Sequence, residues 1–245
     1  MMEQDQAKWP RRAAIFGASG GIGAAIARLL ADRGVPVLGG SRSGSVPRHY
    51  LVTPFHFDLT DEASIAAAAA TLAADMPDLV LVATGALTLA DGTAPERSLK
   101  ALDPAAMAQS LAVNTIGPAM IAKHVLPLFP RDARWTFALL SARVGSVSDN
   151  RTGGWHSYRA GKAALNMLVR NMAIEMARTH PHGTVLALHP GTVDTALSAP
   201  FQRSVPDGQL KKRREAACAL LDVMCRMTPA QSGQLIGWDG QEIAP

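Results

Sequence analysis

Short, continuous apolar runs recur along this chain, each followed by a stretch with helical spacing, and this alternation limits the fold more than any other feature. Runs at 13–16, 35–38, 78–83, 134–140 and 184–189 read as strands, and 21–33, 64–75, 105–126 and 157–178 read as helices. The strand runs are apolar at successive positions and not at every second one, so both faces of each strand must be covered. Helices on both faces of such strands, joined by right-handed crossovers, give a doubly wound parallel sheet. The expected fold class is therefore α/β, with a sheet of about seven strands in a single domain. No fixed-period repeat and no Pro/Ser-rich linker interrupts residues 13–190, which keeps one domain the better reading for 245 residues.

Composition agrees and excludes several function classes. Hydrophobic residues make up 48% and aromatics 5%, so the core is Ala, Leu, Val and Ile, which suits helices packed closely on a sheet. The five-alanine run at 66–70 is helix interior, with Thr60, Asp61 and Glu62 supplying a cap and first-turn negative charge. Cys218 and Cys225 stand seven apart in a helical stretch, too far for a bridge, so a disulfide framework and a cysteine metal site are both excluded. That usage suits a reducing cytoplasm. Residues 1–12 read as a polar tail without an apolar leader core, and no run of about 18 apolar residues suggests a membrane span. A cytoplasmic, membrane-free protein is the expectation. The net charge is +4, and no nucleic-acid module accompanies the basic run Lys211, Lys212, Arg213 and Arg214. It reads as a solvated helix face or a loop near an anionic ligand.

Two motifs carry chemistry. Directly after the first strand come Gly17, Ala18, Ser19, Gly20, Gly21, Ile22 and Gly23, and then a helix. Glycines in this pattern let the chain turn sharply and bring backbone N–H groups and a helix N-terminus against a pyrophosphate. Further on, Tyr158 and Lys162 stand at i and i+4 of a predicted helix and share one face. An ammonium beside a phenol favours the phenolate and lowers its pKa, so the pair can move a proton near neutral pH.

The glycine spacing, with Tyr158 and Lys162 in the right order behind it, resembles the short-chain dehydrogenase/reductases over roughly residues 13–195, and more loosely at 237–243. Asn150, Gly153, Gly154 and Trp155, with the segment 189–195, are similar to a branch holding C-factor-type and carbonyl-reductase-like members. The resemblance implies a Rossmann-like domain over 13–245, with a mobile substrate lid at about 196–215, acting as an NAD(P)-dependent oxidoreductase on a small carbonyl or alcohol. A homodimer or homotetramer is also implied. At the end of strand two, Ser41 and Arg42 stand where an NAD-selective enzyme would carry a carboxylate, so NADP is favoured, with NAD possible. Asp58 and Leu59 match the adenine-contacting position, although Asp58 also suits a cap or turn. Gly85 is what remains of the usual Asn-Asn-Ala-Gly, here Val82, Ala83, Thr84 and Gly85. Pro190, Gly191, Val193 and Thr195 match the turn that holds the carboxamide and a phosphate.

Asn114 matches the family position that kinks a helix and relays protons to the lysine; read from the residues alone it is a structural Asn. The substrate-polarising serine is the main departure. Aligned on Gly145, Ser141 takes the first serine position and Ala142 the second, so either Ser141 reaches the substrate oxygen, Ser146 replaces it, or the site is weak. Ser141 is preferred because it directly follows the strand, where such a sheet places its site. The polar segment 145–155 reads as a loop over the site, where Trp155 and His156 more often pack or cap than touch substrate. His56 and His189 lack metal partners at ligand spacing. Two rivals remain: an NAD(P)-binding sensor with little turnover, and an epimerase or dehydratase, for which about 50 residues after Thr195 leave little room.

Overall fold

The computed structural model describes residues 9–245. In chain order the elements are β1 (Ala13–Phe16), α1 (Gly21–Asp32), β2 (Val37–Ser41), β3 (Val52–His56), α2 (Glu62–Ala73), β4 (Leu79–Val82), α3 (Pro104–Leu111), a π-helical turn (Ala112–Ile116), α4 (Gly117–Val125), β5 (Trp135–Leu140), α5 (His156–Ala177), β6 (Gly183–His189), β7 (Thr192–Val193), β8 (Leu210–Lys211), α6 (Arg213–Arg226) and β9 (Leu235–Gly237). Seven strands form one parallel sheet in the order β3-β2-β1-β4-β5-β6-β9, while β7 and β8 make a separate small parallel pair.

Alternation of side chains across the pleat explains why the strands are apolar at every position. Ala14, Phe16, Val80 and Val82 face the core beneath α2, α4 and α5, while Ala13, Ile15, Leu79 and Leu81 face the core beneath α1 and α6. β1, β4 and β5 are the central strands, and no residue of β1 or β4 is more than 1% exposed. The order reverses between β1 and β4, and a cleft at that point opens outside the carboxyl ends of the strands.

Three elements differ from the sequence reading. β2 begins at Val37 and not at residue 35, because Gly34 takes a left-handed conformation and Val35 N–H donates to Leu30 O, closing the end of α1. The expected helix 105–126 is broken by the π-helical turn around Asn114. Of the expected polar tail, residues 1–8 lie outside the described residues; Arg11 and Arg12 donate backbone N–H groups to Asp78, and the Arg134 guanidinium stacks over Trp9. Asp61 caps α2 and Glu62 supplies its first-turn charge, with Glu62 also holding Lys123 and His124 of α4.

Candidate active site

A cleft of about 560 Å³ gathers residues from the carboxyl ends of β1, β4, β5 and β6, from α5, and from the segment after β7. One end is backbone. Gly17 has φ +91°, and a Cβ there would lie 2.9 Å from Ala83 O; a Cβ on Gly23 would lie 2.3 Å from Gly17 O. The turn therefore closes only with glycine at both positions. Gly20 caps α1 without a side-chain hydrogen bond and has open space beside it, leaving the helix N-terminus free for an anion. Thr195 packs against Gly21, where a Cβ would meet its Cγ2 at 2.8 Å, so the turn after β6 and the glycine turn border one space. Two buried polar atoms, Thr84 Oγ1 and His189 Nδ1, have no hydrogen-bond partner, and both residues line the cleft. An open helix end, a turn that excludes Cβ atoms and orphaned polar groups fit a dinucleotide at this end.

At the adenosine side the sequence-derived residues behave differently from one another. Ser41 is 2% exposed and its hydroxyl donates to Ser45 O at 2.9 Å, so it orders the loop after β2 and is not free to bind a phosphate. Arg42 is exposed beside the Asp58 carboxylate. Asp58 accepts from Thr60 N–H at 2.9 Å and Thr60 Oγ1 at 2.8 Å, which holds its carboxyl below the usual range, with Arg42 adding to the effect. This is the turn role that the residues alone allowed. Leu59 packs against Gly117 of α4, where a Cβ would lie 2.4 Å from Leu59 Cγ.

At the reacting end, Tyr158 and Lys162 both project from α5 into the cleft. Lys162 Nζ lies 5.8 Å from the Tyr158 ring centre and donates to Leu140 O at 2.9 Å. Burial pushes the Tyr158 phenol up to about 12 and the Lys162 ammonium down to about 8. The expected lowering of the phenol is thus reversed, because desolvation outweighs an ammonium that faces a carbonyl and not the hydroxyl. Burial, with Arg143 nearby, also lowers His189 to about 4.

Asn114 is fully buried in the π-helical turn; its Nδ2 donates to Ala86 O at 2.8 Å and Ser110 O at 3.1 Å, and its Oδ1 accepts from Ala86 N–H at 3.1 Å. A Cβ on Gly85 would lie 3.2 Å from Asn114 Oδ1 and 3.4 Å from Lys162 Nζ, so Gly85 brings the chain between those two side chains. Asn114 thus ties the π-helical turn to the loop after β4. Gly145 lets the end of β5 approach α5, since a Cβ there would meet Lys162 Cβ at 2.8 Å.

The two serines separate clearly. Ser141 lines the cleft, but its hydroxyl donates to Asn166 Oδ1 at 2.6 Å. Ser146 Oγ donates to Ala244 O and accepts from Asp149 N–H, and it does not line the cleft. Pro190, Gly191 and Val193 line it, with Val193 O accepting from Ser198 Oγ.

Sequence reasoning missed three residues. Glu96, 8% exposed, accepts at its carboxylate from Ser157 N–H and Oγ and at its carbonyl from Trp155 N–H, joining the loop after β4 to the start of α5. Burial opposes its charge, yet these bonds hold its carboxyl below the usual range. Nothing local marks Glu96. Asn166 was findable, since it continues the spacing of Tyr158 and Lys162 by four more residues on the same helix face. Phe201 packs edge-on against Trp155 at 5.2 Å, a contact between distant segments that no local pattern announces.

No described helix is long and apolar enough to cross a membrane, and no described group of three or more His, Cys, Asp or Glu could hold a metal. The family model for short chain dehydrogenase matches residues 11–205. The 1-hydroxy-2-glutathionyl-2-methyl-3-butene dehydrogenase of Rhodococcus sp. (strain AD45) is 30% identical over 92% of this chain and 96% of its own length. The C-signal protein of Myxococcus xanthus is 33% identical over 58% of this chain and 80% of its own. A short-chain dehydrogenase/reductase from Burkholderia multivorans, solved with bound NADP, superposes with a TM-score of 0.80 at 26% identity, covering 96% of this chain and all of that one. With the glycine turn, the parallel sheet and the family match in agreement, the chain belongs to the short-chain dehydrogenase family and is an NAD(P)-dependent oxidoreductase.

Proposed function

We propose that the protein reduces a small carbonyl compound with NADPH, or oxidises the matching alcohol with NADP, with Tyr158 carrying the proton and the Lys162 ammonium supplying positive charge beside it. The observation that carries this reading is the placement of Tyr158 and Lys162 in the same cleft whose other end is the glycine turn. When bound, the cofactor supplies the hydride. Gly17, Ser19, Gly20, Gly21, Ile22 and Gly23 would hold its pyrophosphate, Arg42 the adenosine phosphate, Asp58 and Leu59 the adenine side, and Gly85, Pro190, Gly191, Val193 and Thr195 the nicotinamide side. NADP is favoured because Arg42 is exposed directly after β2, where residues 39–42 hold no carboxylate, and because a relative at 26% identity was solved with NADP.

A phenol raised to about 12 keeps its proton at neutral pH, which suits donation to an oxygen that gains negative charge. Lys162, lowered to about 8, remains mostly protonated at neutral pH and favours that charge. Asn114 holds the chain beside Lys162 and links it to the helix interior. The Ser141 hydroxyl donates its hydrogen bond to Asn166 Oδ1, which leaves Tyr158 as the principal hydrogen-bond donor to the substrate oxygen. The same commitment, with Ala142 at the second serine position, is what favours the sensor as a second reading.

Deuteride transfer from NADPH labelled at C4 decides between the two. Deuterium on the carbinol carbon of a product supports catalysis, and tight NADPH binding with no label in a broad aldehyde and ketone screen supports a sensor. In the same assay Arg42→Ala should weaken NADPH by roughly ten- to hundredfold and NADH much less; equal weakening removes the phosphate role.

A further inference from the structure

The geometry points to a neutral substrate with a flat apolar group, aryl or cycloalkyl, on the reacting carbon, and against substrates that carry a carboxylate at that end. This inference rests on the reading of the cleft as a carbonyl-reducing site and adds its substrate class. Beyond Tyr158 the wall is mainly Leu87, Val144, Trp155, Leu197, Phe201 and Val205, drawn from the loops after β4 and β5 and from the segment between β7 and β8, which also brings the uncharged amide of Gln209 to the cleft. Among the described lining residues there is no Arg, Asp or Glu, and Lys162 is the single lysine. Its ammonium is held on Leu140 O at the reacting end, so it cannot serve as counter-ion for an anion at the far wall. Tyr158 and His189, the other titratable groups in the cleft, are neutral at neutral pH. A carboxylate carried into this wall would lose water without gaining a cation, an unfavourable exchange.

The wall is also preformed. Trp155 has φ 50°, a left-handed conformation rare for a bulky side chain, and follows Gly153 and Gly154, both at positive φ. Glu96 fixes that conformation by accepting from Trp155 N–H and from Ser157 on the next turn. The indole then stands edge-on to the Tyr158 ring at 6.5 Å and to Phe201 at 5.2 Å, making an aromatic corner around the proton donor. From the other side, Asp194 accepts from Arg213 Nε and Gln202 Nε2, and β7 pairs with β8, so the strip bearing Leu197, Phe201 and Val205, expected from the sequence as part of a mobile lid, is held at both ends by these contacts. A fixed aromatic and aliphatic corner favours a flat apolar group over a flexible or charged one.

The test measures binding of acetophenone and of 4-acetylbenzoate to the protein saturated with NADP, by calorimetry, so that it does not depend on turnover. Acetophenone should bind at least tenfold more tightly than 4-acetylbenzoate, and Trp155→Ala should weaken acetophenone about tenfold. Leu197 is 41% exposed, so Leu197→Arg should fold normally and bring 4-acetylbenzoate to parity or better, a gain that a loss of structure cannot mimic. Equal or tighter binding of 4-acetylbenzoate to the wild type, failure of acetophenone to bind the NADP complex, or no gain in Leu197→Arg would overturn the inference. If acetophenone binds as expected but no deuteride is ever transferred, the proposed reaction fails while the inference on ligand class stands.

Discussion

The nucleotide end of the cleft is one short stretch of backbone, residues 17–23, from the end of β1 into the first turn of α1, where glycines let one turn close on itself at distances that no Cβ could enter. The substrate end is made of side chains from three separated segments, held by Glu96 across 61 residues to Ser157 and by the β7 and β8 pair. Backbone surfaces depend on a few residues of fixed type and leave a compact pattern in the chain. Side-chain surfaces can be re-lined without moving the backbone, and they leave none. The catalytic pair stands between these extremes, on a rigid helix but with its chemistry set by burial.

The largest effect expected from this contrast is at Lys162. Lys162→Met should lower reductive turnover by roughly 10³-fold, within the range for loss of a proton-transfer group. Its melting temperature should not fall, because burying the ammonium lowers its pKa from 10.5 to about 8 and so costs on the order of 3 kcal/mol. That cost is present in full below about pH 8 and is relieved as pH rises toward 10.5, so the stability gap between Lys162→Met and wild type should narrow over that window. Wild-type reductive turnover should decline as pH rises through about 8, where Lys162 loses its proton. A melting temperature well below wild type at pH 7 would show that Lys162 stabilises the fold.

The nucleotide end should break in a different way. Gly23→Ala places a Cβ against backbone at 2.3 Å, so both NADPH affinity, by about 100-fold, and melting temperature should fall. Gly20→Ala meets nothing within 4 Å, so it should keep the melting temperature while weakening NADPH by occupying the phosphate side of the helix end. Equal effects of the two on stability would remove the distinction between turn closure and ligand space. The smallest effect belongs to the serines. Ser141→Ala should lower turnover less than tenfold, since its hydroxyl donates to Asn166 Oδ1, and Ser146→Ala, outside the cleft, should do less still. A loss of 100-fold in Ser141→Ala would mean that this bond breaks and the hydroxyl turns to substrate.

The layers of the fold, the glycine turn and the Tyr158–Lys162 pair were legible because each is local: a run, a spacing, a helix face. The misreadings came from competing partners that spacing does not show. Ser41 has the position of a phosphate ligand, but its hydroxyl is held by Ser45 O, and the ammonium that spacing aims at the Tyr158 phenol is held by Leu140 O. The helix at 105–126 read as continuous because its apolar period is unbroken; the π-helical turn at Asn114 follows from bonds to Ala86, 28 residues away. Glu96, Phe201 and the conformation of Trp155 depend on contacts between segments far apart in sequence, which no local pattern at Trp155 announces.

The most direct measurement on the central claim, that Tyr158 donates the proton in a hydride transfer, is single-turnover NADPH oxidation by Tyr158→Phe beside a titration of its NADPH affinity. The ring contacts with Trp155 are retained in this variant, so affinity should stay within about twofold while the transfer rate falls at least 100-fold. Transfer at the wild-type rate with intact affinity would contradict the assignment of Tyr158 as proton donor.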